Sequence, residues 1–170
     1  MKVKNICTTA FTVMAVAFIL GCSNTRILND DQLTDSLAVK NIIDSQHFVF
    51  IPRYVNPMGF RRRELTPGFE LSISKDSLIS YLPFFGRGYT APISPADVDF
   101  DFTSTNFTYS VKPGKGWNIS IKPKDQMYLQ ETYLRVFENG SASLNVISIN
   151  RSSISYDGYI TRRKVNNNSK

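Results

Sequence analysis

The chain has 170 residues and a formal net charge of +6, and 12% of its residues are aromatic. That length fits one domain of ordinary size. The sequence holds two cysteines, Cys7 and Cys22, and one histidine, His47. This supply of ligands excludes a zinc site built from cysteine and histidine.

Residues 1–21 have the layout of a secretory signal peptide. Lys2 and Lys4 form a positive start, and an apolar run from Ile6 to Leu20 follows. The run is shorter than the roughly 20 apolar residues that a membrane span needs. It ends in Gly21-Cys22, and this pattern resembles the lipobox of bacterial lipoproteins. We therefore expect cleavage before Cys22 and a lipid that includes palmitate on that cysteine.

Removal of the signal peptide changes the charge and the thiol content of the chain. The loss of Lys2 and Lys4 leaves a formal charge of 6 − 2 = +4. Much of the excess lies in residues 61–63 and 162–164, and such charge runs usually face solvent. We therefore expect no nucleic-acid partner. Because Cys7 leaves and Cys22 carries lipid, no thiol remains for a disulfide, a metal site or a nucleophile.

The lipid is expected to anchor the mature chain to a membrane. Ser23-Asn24 lacks the aspartate in second position that, by resemblance to known sorting rules, favours retention at an inner membrane. We predict the outer membrane, facing the periplasm, and leave exposure at the cell surface open.

A polar tether, residues 22–30, is predicted to precede a helix that begins near Asp30 or Asp31 and ends at Ser45 and Gln46. The apolar stripe of this helix comprises Leu33, Leu37, Val39, Ile42 and Ile43. From His47 onward apolar and polar residues alternate, which is the period of a half-buried strand.

Nine strands are predicted, around residues 48–51, 69–74, 78–82, 98–102, 107–111, 117–121, 127–137, 144–149 and 154–160. Lys75-Asp76 and Glu138-Asn139-Gly140 predict tight turns, residues 112–116 a loop, and a slip of phase at Gln130-Glu131 a β-bulge. The predicted fold class is α+β and β-rich, with an N-terminal helix and an antiparallel β-sheet curled into a barrel-like or sandwich domain. The domain should span residues 31–162, followed by a polar tail at 163–170.

Two segments, Ser80–Tyr89 and Ile147–Gly158, are more distinctive than the rest of the chain. Together with Phe48-Val49-Phe50 and Met58-Gly59 they resemble a family of exported bacterial lipoproteins known as domain of unknown function 4251. The resemblance covers roughly residues 35–160. It implies a compartment and domain limits, and it implies no chemistry.

Candidate catalytic and metal-binding residues lack the partners that their chemistry needs. His47 has no second histidine and no Gly-x-Ser-x-Gly elbow beside it, so it is expected to open a strand. Asp97, Asp99 and Asp101 alternate with apolar residues, which favours the solvent face of a strand over a calcium loop. Gly114-Lys115-Gly116 lacks the remaining residues of a phosphate loop. We expect no metal, no cofactor and no enzymatic activity.

Two serines match the Asp-Ser/Thr-apolar acceptor of bacterial protein O-glycosylation: Ser36 in Asp35-Ser36-Leu37 and Ser77 in Asp76-Ser77-Leu78. The alternative is that the first belongs to a helical turn and the second to a hairpin turn.

The segment from Tyr81 to Tyr89 combines four aromatics with Arg87 around Pro83, Gly86 and Gly88. Proline ends a strand or moves it to an edge. One hypothesis is an exposed binding rim formed by Tyr81, Phe84, Phe85, Arg87 and Tyr89, with Arg87 among the rings. The alternative is that these rings plug one end of the core and that Arg87 pairs with a buried carboxylate.

These features favour a membrane-anchored lipoprotein of the cell envelope that binds a small ligand, a glycan or a peptide without catalysis. A structural or assembly component that docks another envelope protein is the alternative, and a hydrolase is the third.

Overall fold

The computed structural model describes residues 36–90 and 99–163. One helix precedes the strands of a single sheet. The elements are α1 (Ser36–Ser45), β1 (Phe48–Pro57), β2 (Arg63–Glu64), β3 (Glu70–Ile73), β4 (Leu78–Leu82), β5 (Phe100–Ser104), β6 (Phe107–Gly114), β7 (Gly116–Pro123), β8 (Leu129–Val136), β9 (Ser141–Ser148) and β10 (Ile154–Arg162).

The sheet is antiparallel and nearly closes into a barrel. Its order is β5-β4-β3-β1-β10-β9-β8-β7-β6, and β2 adds to β1. Strands β5 and β6 therefore lie at opposite ends of the sheet order, although only Thr105 and Asn106 separate them in the chain. Such a short link can join the two ends only if the sheet curls round on itself.

The carboxylate of Asp125 holds the link between β5 and β6. It accepts hydrogen bonds from the hydroxyl of Ser104 and from the backbone N–H groups of Thr105 and Asn106, the latter two at 3.0 and 3.3 Å. These bonds, that of Ser104 first, lower the pKa of Asp125 below its ordinary value of 3.8.

The middle of the sheet is the pair of β1 and β10, which runs from Phe48↔Arg162 to Pro57↔Ile154. The register shifts between Pro52 and Tyr54. Proline is rare in a central strand because it cannot donate to the ladder. Pro52 is tolerated because, on its other side, β1 pairs with β3 only over residues 48–50 and with β2 only at residues 54–55.

The interior of the curled sheet is a packed core of side chains that alternate along the strands. Its largest fully buried members are Tyr156, Phe48, Phe50, Ile43, Leu71, Ile73, Leu78, Leu82, Ile119, Ile121, Leu134 and Leu144. The helix contributes Val39, Ile42 and Ile43. The hydroxyl of Tyr109 on β6 donates to the carbonyl of Ile43 at 3.3 Å, and burial raises the pKa of that hydroxyl. The helix thus packs against one end strand of the sheet.

The predicted apolar stripe of the helix was wrong at Leu37, because this residue is 70% exposed and does not join the buried face. The helix ends as predicted: Ser45 is its last residue, and Gln46 adopts a left-handed φ of 50° while its N–H donates to the carbonyl of Ile43. The predicted start of the helix, and Leu33, lie outside the described residues.

The strands agree with the alternation in the sequence, and three details differ. The two-residue strand β2 was not predicted, because it is too short to show a period. Residues 112–116 are not a loop, since β6 runs to Gly114 and β7 begins at Gly116. Gly116 has a φ of 89°, and a Cβ there would lie 2.1 Å from the carbonyl oxygen of Val136, so glycine alone permits this tight hairpin. β1 also continues past residue 51, to Pro57.

The predicted bulge in β8 is confirmed, because the register with β9 shifts between Leu129 and Glu131. The predicted turns are also confirmed. Ser74 and Ser77 close the turn around Lys75-Asp76 with backbone and side-chain hydrogen bonds. Residues 137–140 join β8 to β9, with Gly140 at a φ of 77°.

Candidate functional site

The segment from Tyr81 to Tyr89 does not form one continuous rim. Tyr81 and Tyr89 are exposed, whereas Phe84 and Phe85 are half-buried and pack against the core. Tyr81 stacks on Phe69 with ring centroids 5.3 Å apart, and this pair covers the outer face beside β3 and β4. The segment is therefore divided between a plug made of two phenylalanines and two separate exposed tyrosines.

Arg151 occupies the place among the rings that the sequence suggested for Arg87. Its guanidinium lies 5.0 Å from the ring centre of Phe84 and 4.9 Å from that of Phe100. It also donates to the backbone carbonyl of Asp99 at 3.4 Å, and the residue is only 8% exposed. Arg87 is exposed instead, and its backbone pairs with Ser152 through two hydrogen bonds.

Asp99 and Tyr156 support the same plug. The half-buried Asp99 carboxylate accepts a hydrogen bond from the backbone N–H of Phe84 at 2.8 Å. The buried hydroxyl of Tyr156 donates to the carbonyl of Pro83 at 2.8 Å. Burial, with a smaller effect of the Asp99 charge, raises the pKa of Tyr156. These contacts hold the loop after β4 onto the core.

The two glycosylation candidates differ in exposure. Ser36 is exposed at the first residue of α1. Ser77 is half-buried, and its hydroxyl bonds to that of Ser74 at 2.8 Å inside the turn between β3 and β4. A glycosyl group would reach Ser36 without disturbing a hydrogen-bonded turn.

The remaining candidates lie apart from one another. His47 is exposed between α1 and β1. Asp97 and Cys22 lie outside the described residues. Within residues 36–90 and 99–163, no three histidine, cysteine, aspartate or glutamate side chains are grouped so as to hold a metal ion.

A different group of residues forms the most developed polar surface, on the outer face of β7, β8, β9 and β10. The antiparallel register aligns outward side chains in two rows that cross these four strands. The first row is Ser120, Tyr133, Asn145 and Ser155, and the second is Asn118, Arg135, Ser143 and Asp157. We call these eight residues the outer polar face.

Hydrogen bonds from neighbouring side chains fix several members of the outer polar face. Arg135 Nε donates to Asn118 Oδ1 at 3.1 Å. At the β10 end of the second row, the carboxylate of Asp157 accepts a hydrogen bond from Asn56 Nδ2 at 2.9 Å and lies 3.4 Å from Arg62 Nη2. Arg62 in turn stacks over the ring of Tyr54, 3.9 Å from its centre.

Glu131 on β8 forms hydrogen bonds with two members of the first row, Ser120 and Tyr133. Its carboxylate accepts from the Ser120 hydroxyl and pairs with Lys122 Nζ at 3.2 Å. Burial acts to raise the pKa of Glu131, but the hydrogen bonds from Ser120, Tyr133 and Lys122 outweigh it, and the pKa lies below its ordinary value. The same carboxylate accepts a hydrogen bond from the Tyr133 hydroxyl, and this bond raises the pKa of that hydroxyl.

Six of the eight residues of the outer polar face line a groove of about 560 Å³. Its lining comprises Asn118, Ile119, Tyr133, Leu134, Arg135, Phe137, Ser143, Asn145 and Asp157. That volume falls within the roughly 300–1,000 Å³ of small-molecule sites. The groove joins polar groups that both donate and accept with two exposed rings, Tyr133 and Phe137.

The groove could not be predicted from the sequence alone. Polar residues at every second position are what any solvent-facing strand carries, so no local signal distinguishes Asn118 or Asn145 from an ordinary exposed residue. The bulge at Gln130-Glu131 was the one useful sign, because it sets the phase that turns Tyr133 and Arg135 outward.

Among the described residues, no helix has the length and apolar character that a bilayer crossing requires. A search of curated proteins returned no match. The fold resembles the crystal structure of a DUF4251 family protein from Bacteroides eggerthii DSM 20697, with a TM-score of 0.55 and 12% sequence identity over 75% of this chain and 89% of that chain.

The family model described as domain of unknown function (DUF4251) matches residues 32–160. The match covers most of the chain and nearly the whole of the sheet, including both rows of the outer polar face. The chain therefore belongs to the DUF4251 family.

Proposed function

We propose that this protein is a lipoprotein of the bacterial cell envelope that is anchored by lipid on Cys22 and binds a small polar ligand, a glycan or a peptide without catalysis. The groove along the outer polar face carries the binding part of the proposal. It offers a concave surface, two exposed rings and convergent polar groups, which are the usual parts of a ligand site.

The interior of the sheet supports an external site. In a nearly closed sheet of this size, a ligand can be held inside only where side chains leave room. Here the inward positions are filled by large side chains, among them Phe48, Phe50 and Tyr156, each 0% exposed. A ligand would therefore be held outside, where the groove lies.

The anchor rests on the order of features at the N-terminus: Lys2 and Lys4, the apolar run, then Gly21-Cys22. Labelled palmitate should enter the wild-type protein in a bacterial host. Cys22→Ala should abolish the labelling and release or mis-process the protein. Equal labelling of both proteins would contradict the anchor.

Ligand binding is tested by amide chemical-shift mapping with panels of small polar metabolites, oligosaccharides and peptides. A ligand of the groove should shift amide signals in β7–β10, and Tyr133→Ala should weaken its binding. Tyr89→Ala is the matched control, because Tyr89 is 64% exposed and lies in the loop after β4, whereas Tyr133 lies in β8. Shifts confined to other surfaces would contradict the assignment of the groove.

Docking of another envelope protein is the second candidate, and the end strand β6 favours it. Among the described strands, β6 pairs with β7 alone, and from Ser110 to Gly114 every residue is exposed. Lys112 and Pro113 lie in this strand, and both residue types discourage unspecific pairing at a sheet edge. A partner would have to add to the edge on the N-terminal side of Pro113. Crosslinking from Val111, which is 37% exposed, tests this candidate.

A further inference from the structure

The groove has a lining that suits one class of ligand better than the others. We infer that it binds a neutral carbohydrate chain, laid across β7–β10 against Tyr133 and Phe137. This inference rests on the proposed function and specifies the ligand of the same site.

The charge of the lining argues against an ionic ligand. The groove lining contains one guanidinium, Arg135, and one carboxylate, Asp157, which lie in the second row with Ser143 between them. Because the lining has one charge of each sign, a chain with the same charge on every unit would be attracted by one of these two groups and repelled by the other. A neutral ligand meets no such cost, and it can accept from the guanidinium and donate to the carboxylate.

The rings lie where a sugar would need them. Tyr133 and Arg135 are at alternate positions of β8, so their side chains share one face, and Phe137, which follows the strand, lines the same groove. Tyr133 is 45% exposed and Phe137 41%. A pyranose presents a face of C–H groups that packs on an aromatic ring, while its hydroxyls point sideways into the polar groups around it. Asn145 lies directly opposite Tyr133, and Ser143 directly opposite Arg135.

The polar groups are already held in place. Asn118 fixes Arg135, and Asn56 with Arg62 fixes Asp157. The carboxylate of Glu131 orients the hydroxyl of Tyr133. Groups that are ordered before binding lose little side-chain entropy when the ligand arrives, which matters for a ligand whose individual hydroxyl contacts are weak.

The backbone of these strands argues against an extended peptide. Peptides usually bind a sheet by adding a strand to a free edge, where main-chain N–H and C=O groups are unpaired. Strand β8 is paired with β7 on one side and β9 on the other, and β9 is paired with β8 and β10, so neither strand has a free edge. The groove therefore offers a ligand side chains only, which suits hydroxyl groups better than a peptide backbone.

The full chain, purified in a detergent without a sugar headgroup, is titrated by calorimetry and by amide shift mapping. The neutral probes are maltohexaose, cellohexaose, mannohexaose and chitohexaose. The comparison probes are hexagalacturonate and a pool of uncharged decapeptides. At least one neutral hexasaccharide should bind at millimolar concentration or below and shift amides of β7–β10.

Variants separate the ring from its hydroxyl group. Tyr133→Ala should weaken binding of that hexasaccharide at least about tenfold, a factor that corresponds to about 1.4 kcal/mol. Tyr133→Phe keeps the ring and should retain most of the affinity, and Tyr89→Ala should leave it unchanged. Far-ultraviolet dichroism and the melting temperature of each variant exclude loss of the fold as the cause.

Four outcomes decide the inference. Binding by a neutral hexasaccharide that Tyr133→Ala weakens supports it. Binding of only hexagalacturonate or only the peptides at the groove overturns the carbohydrate assignment and leaves the proposed function in place. Neutral sugars that bind equally well to wild type and Tyr133→Ala overturn the site. Absence of binding by every probe overturns the inference, whereas the proposed anchor at Cys22 is tested separately by palmitate labelling.

Discussion

Arg151 and Arg87 provide a direct comparison between a buried and an exposed arginine, because the backbone of residues 87–88 runs beside that of residues 151–152. The guanidinium of Arg151 lies 5.0 and 4.9 Å from the ring centres of Phe84 and Phe100, and the residue is 8% exposed, whereas Arg87 is exposed. We predict that Arg151→Ala destabilises the domain strongly and that Arg87→Ala hardly does.

The magnitude follows from the contacts that Arg151→Ala removes. A cation stacked on a desolvated ring contributes up to about 2 kcal/mol. A hydrogen bond from a charged group contributes about 1.5–3 kcal/mol, and the contacts are not additive. We expect a loss of about 3–4 kcal/mol for Arg151→Ala, and within about 0.5 kcal/mol for Arg87→Ala, as is usual for surface substitutions.

The assay is thermal unfolding of both variants beside the wild type. For the roughly 130 residues from 36 to 163, an unfolding entropy of about 2.1 cal/mol/K per residue means about 0.27 kcal/mol per degree. Arg151→Ala should therefore lower the melting temperature by about 11–15 °C, and Arg87→Ala by no more than about 2 °C. Arg151→Lys should lie between them, because it keeps the charge and loses the planar stacking.

Three results would refute this reasoning. A drop of less than about 4 °C for Arg151→Ala would mean that stacking on Phe84 and Phe100 contributes little. Equal drops for the two alanine variants would mean that burial does not distinguish these arginines. A large drop for Arg87→Ala alone would restore the hypothesis that Arg87 is the structural arginine.

Three further predictions concern other residues. Tyr156→Phe should cost about 1–2 kcal/mol, because it leaves the buried carbonyl of Pro83 without its donor, and an unchanged denaturant midpoint would contradict this. The pKa of Asp125 is lower in the folded than in the unfolded state, so its contribution to stability is present above pH 3.8 and is lost as the pH falls through the folded pKa. Asp125→Asn should therefore have a lower melting temperature than wild type at neutral pH, and the difference should shrink in acid. Ser36, which is exposed, should carry a glycan in the native host rather than Ser77, whose hydroxyl closes a turn; an intact mass explained by lipid alone would exclude both.

Strand positions were predictable from the sequence, because apolar alternation is a local property. Phe48 and Phe50 in β1, and Leu144 and Val146 in β9, all face the core as their period implies. The bulge at Gln130-Glu131 was also local, since a phase slip within one strand is visible in its residues. Strand β2 was missed because two residues, Arg63 and Glu64, are too few to show a period.

The candidate sites were less predictable, because they depend on which strands become neighbours. Arg151 reaches Phe84 and Phe100 only after the loop that contains it has paired with residue 88. Likewise, Asn118 meets Arg135, and Ser143 meets Asp157, through register across four strands. No spacing within one segment encodes such contacts, and the distinctive segment from Tyr81 to Tyr89 therefore drew attention to Arg87 instead of Arg151.

The pairing of β1 with β10 sets the order in which the domain can be completed. The first and last strands lie side by side at the centre of the sheet, and their ladder is the longest between strands of the described chain. Until Ile154–Arg162 has been synthesised, β1 and β9 each present an unpaired edge, and contacts so distant in sequence form slowly. Synthesis of the other strands alone therefore cannot complete the sheet, because β1 to β5 on one side and β6 to β9 on the other stay unpaired with each other until β10 has been added between β1 and β9.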